Sequence, residues 1–311
     1  MTSRHRRSRR SERPGPSGFL AVDKPPGWTS HDVVDAARRW LRTRQIGHLG
    51  TLDPLATGVL PLAVRSATKL VSFMTAGDKE YVGVIRLGEA TDTLDAEGRV
   101  TFRHEGRLPD EAAVAAALQG FVGDIEQVPP MFSAVKKDGV PLHRLARQGR
   151  EVEREPKKVH IERIVLRAYQ PPDAAVEVTC SAGTYVRVLA ADLGHRLGCG
   201  GHLLRLCRTR SGPFKLADAL PIEVYAAEAE RGEIAKRLIS PADVLGFPVL
   251  RLSESESAHV AHGGEITADG PPLRPGQYVA ALEPGGQLRA VLEVRPGRRL
   301  QPVRVLPLLA P

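Results

Sequence analysis

The chain has 311 residues, 42% of them apolar, and 44 Lys and Arg against 36 Asp and Glu give it a formal charge of +8. That supplies a real core for one large domain with or without a small one, and no run approaches the roughly 20 uncharged apolar residues of a membrane-spanning helix, which excludes that class. The positive balance suits a polyanionic partner and says nothing about sequence readout.

Residues 1–17, dense in Arg with Ser, Pro and Gly, read as a disordered basic tail with no apolar segment of a secretory signal. Structure is expected from about Phe19, where "FLAVDKPPGWTS" gives a short strand, a Pro-Pro-Gly turn and Ser30 as a helix N-cap. Val33, Val34, Ala37, Trp40 and Leu41 then recur at helical spacing and predict a buried stripe on a helix from about 31 to 43. "GHLGTLDPLATGVLPL", 47–62, follows as a loop leading into a strand at "VLPLAV". Glycines at 47, 50 and 58 permit sharp bends, and Pro54 keeps Asp53 extended and removes the next amide hydrogen. A short carboxylate is thereby held at the lip of a cleft, although an isolated Asp-Pro pair would be a turn and nothing more.

Further along, "EYVGVIRLG" (80–88) and "AAVEVTCS" (174–181) have strand composition, and "PDEAAVAAALQGF" carries a helix start signal. "TYVRVLAADLGHRLG" is expected to pass from strand into helix, with Tyr185 and Arg187 on one strand face and Leu189, Leu193 and Leu197 on one helix face. This mixed order of elements favours an α+β domain over a doubly wound one. Near 240–248, "SPADVLGFP" marks a boundary, after which short apolar runs broken by Gly and Pro predict a small β-barrel. The predicted units are the tail 1–17, a large domain 18–246 and the barrel 247–311.

Cys180, Cys199 and Cys207 form no CxxC pair, and an odd count without a signal peptide points to a reducing cytoplasm. No His/Cys cluster offers a metal site, and no GxGxxG or Walker motif recommends a nucleotide, so no cofactor is expected.

The stretch around Asp53 resembles the signature of the TruB family of tRNA pseudouridine synthases. "FLAVDKPPGWTS", "KEYVGVIRLGEATDTLDAEG", "PPMFSAVKKDG", "CSAGTYVRVLAADLG" and "LGCGGHLLRLCRTRSGPF" match the family's other blocks in the same order, over about residues 18–217. Leu49, Thr51 and Cys207 depart from the commonest pattern, and at Cys207 an expected arginine is missing. The resemblance implies a mixed, largely antiparallel central sheet flanked by helices, the pseudouridine synthase fold, with a PUA-like RNA-binding barrel behind it. It also implies isomerisation of uridine to pseudouridine, the glycosidic link moving from N1 to C5, without metal or organic cofactor.

On that resemblance Asp53 is the nucleophile, toward C1′ of the ribose or C6 of uracil, since a carboxylate can hold the nucleoside while the base rotates. Arg187 pairs with it and keeps it ionised against desolvation. Tyr81 stacks on the extruded base, and its hydroxyl is a candidate for removing the C5 proton. Tyr185, Leu206 and His48 line or grip the nucleotide, and Lys24 reaches a phosphate or braces the catalytic loop. Lys136, Lys137, Arg144, Lys157 and Lys158 fall in or near an RNA-gripping insertion, about 124–160, and are expected on the RNA backbone, which makes binding steeply salt-dependent.

The expected partner is the T-arm of tRNA, at the uridine the family name numbers 55, acted on by a cytoplasmic monomer with no obligatory protein partner and no membrane. Two other readings remain: the catalytic subunit of a guide-RNA ribonucleoprotein, and a non-catalytic tRNA-binding or folding factor.

Overall fold

The computed structural model describes residues 15–267 and 273–307. All but the last three residues of the expected basic tail lie outside the described residues.

A ten-stranded sheet organises the larger part of the chain. Strand β1 (Gly18–Lys24) is followed by helix α1 (Ser30–Trp40), then β2 (Ile46–His48), β3 (Thr57–Val64) and β4 (Lys79–Leu87). Across the sheet the order is Leu220–Pro221, β1, β3, Gly201–Ser211, β4, Asp173–Cys180, Lys157–Gln170 and Gly123–Gln127. β2 pairs additionally with β3, and Phe214–Lys215 with Gly201–Ser211. Pairing is antiparallel except where Leu220–Pro221 meets β1 and Gly201–Ser211 meets β3. The sheet is therefore mixed and largely antiparallel, as expected.

Alternation along β1 and β3 explains how the sheet is covered on both sides. Leu20, Val22, Leu60, Leu62 and Val64 belong to one apolar cluster, packed with Val33, Val34 and Ala37 of α1 and with Leu189 and Leu193 of the helix Val186–Arg196. Phe19, Ala21, Val59 and Ala63 point the other way, into a cluster completed by Ala280, Leu282, Leu288 and Val291. A strand buried on both faces must be apolar throughout, which is why "VLPLAV" shows no polar alternation.

Two local expectations change. Thr29 caps α1, not Ser30: its hydroxyl accepts from Asp32 N and the Asp32 carboxylate accepts from Thr29 N, a reciprocal capping box. "TYVR" is not a strand; Tyr185 is the extended N-cap residue of the helix Val186–Arg196, and Arg187 lies in its first turn. The C-terminal sheet has five strands in the order Val249–Arg251, Tyr278–Leu282, Leu288–Arg295, Arg299–Val305, Ile266–Thr267. It is a PUA-like half-barrel, its two end strands unpaired with each other among the described residues. Its second face packs on a small cluster of its own with Val260 of the helix Glu254–Ala261.

Candidate active site

Asp53 occupies the tip of a hairpin. Ile46 stands opposite Val64 and His48 opposite Leu62, and between these strands Ala56 N donates to the Asp53 carbonyl at 3.1 Å. Pro54 thus takes the second place of a four-residue turn, where its fixed φ costs nothing. Two glycines rather than three make the bends: Gly50 and Gly58 have φ of +129° and +99°, whereas Gly47 lies within β2. At Gly58 a Cβ would stand 2.3 Å from the Arg208 carbonyl oxygen, so the strands meet closer than a side chain allows.

Three buried side chains clamp this hairpin. The Ser30 hydroxyl accepts from Leu52 N at 2.8 Å and donates to Leu52 O at 3.0 Å. Arg208 donates from Nε to Val59 O at 2.9 Å, from Nη2 to Gly50 O at 3.1 Å and from Nη1 to Thr51 O at 3.4 Å. The Lys24 ammonium donates to Trp28 O at 2.6 Å, Pro25 O at 2.9 Å and Pro54 O at 3.2 Å. Lys24 is 0% exposed, and burial pushes its ammonium down to about 8. Of its two expected uses, the geometry matches the brace; as a substrate contact Lys24 is corrected, because a fully buried ammonium spent on three carbonyls does not reach a phosphate.

Asp53 faces Arg187 along one edge of the guanidinium, Nη2 donating to Oδ1 at 3.2 Å and Nε lying 3.2 Å from Oδ2. Nη1 of the same group lies 3.8 Å from Oδ2 of Asp95. Nη2 also donates to Phe132 O at 2.6 Å. The Arg187 and Asp95 side chains are 4% and 5% exposed, while Asp53 keeps 34%, so the ion pair is buried except where the Asp53 carboxylate opens to solvent. Burial raises the Asp53 pKa above the usual carboxylate value; Arg187 and Lys24 pull it down, and Asp95 pushes it up.

The cleft in front of Asp53 has a volume of about 520 Å³ and is lined by Tyr81, Tyr185, Arg187, Leu206 and Arg208 among others. Five of the seven expected site residues, Asp53, Tyr81, Tyr185, Arg187 and Leu206, are thus brought together. Tyr81, on β4, is 8% exposed and lies across from Arg208 on the neighbouring strand. Tyr185 is held through its backbone by buried Gln127, whose amide accepts from Tyr185 N at 2.9 Å and donates to Tyr185 O at 3.2 Å. His48 does not line the cleft; it stands behind the loop, its Nδ1 accepting from Gly50 N at 3.4 Å. Burial and the nearby Arg208 charge hold its imidazole below the ordinary value, toward the neutral form.

Asp95, Gln127, Ser30 and Arg208 join the site without being among the residues expected from the sequence. Asp95 carried a signal in "ATDTLDAEG": its Oδ1 accepts from Thr93 Oγ1 at 2.6 Å and from Glu97 N at 3.1 Å, the self-bonding of an Asp-rich turn. Of the basic residues expected on RNA, Lys136, Arg144, Lys157 and Lys158 are exposed, and Lys137 donates to Glu153 O at 2.7 Å.

Comparison with known proteins places this arrangement. The profile "TruB family pseudouridylate synthase (N terminal domain)" matches residues 38–186, "tRNA pseudouridylate synthase B C-terminal domain" matches 187–245, and "tRNA Pseudouridine synthase II, C terminal" matches 247–307. A tRNA pseudouridine synthase B of Pseudomonas paraeruginosa is 42% identical over 93% of this chain and 96% of that protein. One of Moorella thermoacetica is 44% identical over 93% and 99%. Among solved structures, a Cbf5–Nop10–Gar1 complex superposes with a TM-score of 0.70 at 28% identity, covering 94% of this chain and 85% of the matched one. An H/ACA ribonucleoprotein bound to a substrate RNA containing 2′-deoxyuridine superposes with a TM-score of 0.69 at 26% identity, covering 94% and 85%. The matched profiles, relatives and fold make the chain a pseudouridine synthase, an isomerase. Within that class, the chain belongs to the TruB family.

Proposed function

We propose that this chain converts uridine to pseudouridine in tRNA, at position 55 of the T-arm, with Asp53 as nucleophile. The observation that carries the reading is the Asp53–Arg187 pair at the floor of a cleft large enough for a nucleotide. A carboxylate facing a base loses solvent, and the guanidinium, buried and aligned beforehand, keeps it ionised without having to reorganise during the reaction. Tyr81 offers a ring face for the extruded base and Leu206 an apolar wall; such stacking is worth about 1–3 kcal/mol, which offsets much of the cost of leaving the helix. His48 is then a support of the Asp53 loop, its Nδ1 accepting from Gly50 N, rather than a group facing the nucleotide. The exposed lysines and arginine of 136–158 meet the RNA backbone.

Relatives at 42–44% identity carry the name tRNA pseudouridine synthase B, against 28% for the Cbf5-containing complex, which favours a chain that acts alone. We take it to work as a monomer in the cytoplasm, in keeping with a tRNA substrate and three unpaired cysteines. The test is incubation of the purified chain alone with a tRNA transcript, followed by chemical mapping of pseudouridine. Product at position 55 with wild type and none with Asp53→Asn is expected. A requirement for guide RNA and partner proteins would favour the ribonucleoprotein reading, and tRNA binding without product from wild type the binding-factor reading.

A further inference from the structure

The cleft is electrically lopsided. At the Asp53 end the Arg187 guanidinium is matched by two carboxylates. At the Tyr81 end stands Arg208, 1% exposed, whose hydrogen bonds run to backbone carbonyls. Among the described residues no carboxylate pairs with it; it stands opposite Tyr81 and lines the same cleft, and its positive charge works to lower the pKa of the Tyr81 phenol. A buried cation without a counter-ion is costly to keep, and a neutral amide would brace a turn as well. Its place in the sheet shows what else it does. Arg208 lies opposite Tyr81 on β4 and opposite Gly58 on β3, so one residue of the strand Gly201–Ser211 touches both the hairpin that carries Asp53 and the strand that carries Tyr81.

We propose that Arg208 is a positioning residue for the isomerisation: it fixes the Asp53 hairpin against the strand that carries Tyr81 and holds positive charge beside the Tyr81 phenol while the base is transferred. This rests on the reading of the cleft as a pseudouridine synthase site. The close approach at Gly58 serves the same end, because it seats the Arg208 backbone against the stem of the hairpin.

The experiment compares Arg208→Met and Arg208→Lys with wild type in three measurements: single-turnover rate on a tRNA transcript, affinity for that transcript, and titration of Tyr81 in the RNA-free protein by NMR of ring-labelled tyrosine, assigned with Tyr81→Phe. Arg208→Met is expected to slow the chemical step about a hundredfold, the scale of losing a preorganised donor, while affinity changes by less than about threefold. Arg208→Lys recovers part of the rate, and the Tyr81 phenol titrates at higher pH in Arg208→Met than in wild type. In the Tyr81→Phe background, Arg208→Lys adds little further loss, which a merely structural role would not produce. A wild-type rate in Arg208→Lys, an unmoved Tyr81 titration, or losses that multiply in the double variant would overturn the proposal. If Arg208→Met fails to fold, the Arg208→Lys and Tyr81→Phe cycle decides alone. If wild type makes no pseudouridine, the functional reading fails, and the RNA-free titration still decides whether Arg208 acts on Tyr81.

Discussion

Arg187 is shared between two acids: its Nε and Nη2 face Asp53, and its Nη1 faces Asp95 at 3.8 Å. Asp95 is itself tied down by Thr93 Oγ1 and Glu97 N, so it acts as a fixed stop against which the guanidinium is set. Asp95→Asn keeps the shape and removes the charge. The expected result is a fall in the single-turnover rate of about tenfold or more, equivalent to roughly 1.4 kcal/mol, with tRNA affinity nearly unchanged. An unaltered rate would show that Asp95 does not set Arg187.

Removing the guanidinium is a different matter. Arg187→Met leaves the Asp95 carboxylate buried without a cation, and breaking a buried pair from one side costs about 3–5 kcal/mol. Urea unfolding should show the loss, and Arg187→Lys, which keeps the charge without the planar fork, should recover only part of it.

The Asp53 carboxyl, raised by burial, fixes the direction of two pH effects. On the proposed function the ionised form is the reactive one, so the acid limb of kcat/KM should fall at higher pH than an ordinary carboxylate would give. In stability the sign is the reverse. A folded pKa above the unfolded 3.8 contributes stability that is fully present below 3.8 and lost as pH rises through the folded value. Asp53→Asn lacks that loss, so its Tm relative to wild type should be higher at pH 7 than at pH 4. A difference that shrinks over that interval would show that Arg187 outweighs burial.

Lys24 gives the complementary case. Its ammonium is pushed down to about 8 from 10.5, so the charged form is penalised in the fold at all pH below 8. Between 8 and 10.5 the unfolded chain holds the proton and the folded one releases it, and stability rises with pH. Set against Lys24→Met, wild type should gain stability across that window, read from urea midpoints at pH 7.5 and 10.

Gly58→Ala tests the close approach of β3 and the strand Gly201–Ser211. The new Cβ would meet the Arg208 backbone at 2.3 Å in a residue with φ of +99°, and neither the backbone atoms nor the dihedral can yield cheaply. Strain and overpacking together cost about 3 kcal/mol or more. Gly47→Ala, with open space around the site, should be far milder in the same unfolding assay.

What the sequence made legible was what depends on neighbours in the chain. The reversal at Asp53, the apolar run of β3 and the leucine face of the helix Val186–Arg196 follow from Pro54, from burial on two sides and from spacing by four. What it hid depends on distant partners. Ser30 reads as a cap because its hydroxyl is well placed for one, yet Leu52, twenty-two residues on, claims it, and Thr29 caps instead. "TYVR" has the composition of a strand, but buried Gln127 takes both backbone groups of Tyr185 and leaves the helix to start at Val186. Arg208 is hidden for the same reason: its partners Gly50, Thr51 and Val59 lie about 150 residues earlier, and nothing next to it in the chain signals them.

The hairpin that carries Asp53 is pinned at Leu52 by Ser30, at Pro54 by Lys24 and at its stem by Arg208, and β3 behind it is buried on both faces. Such a tool does not bend to its workpiece. Adaptation therefore falls to the nucleic acid, which has to give up one of its bases to a site already set.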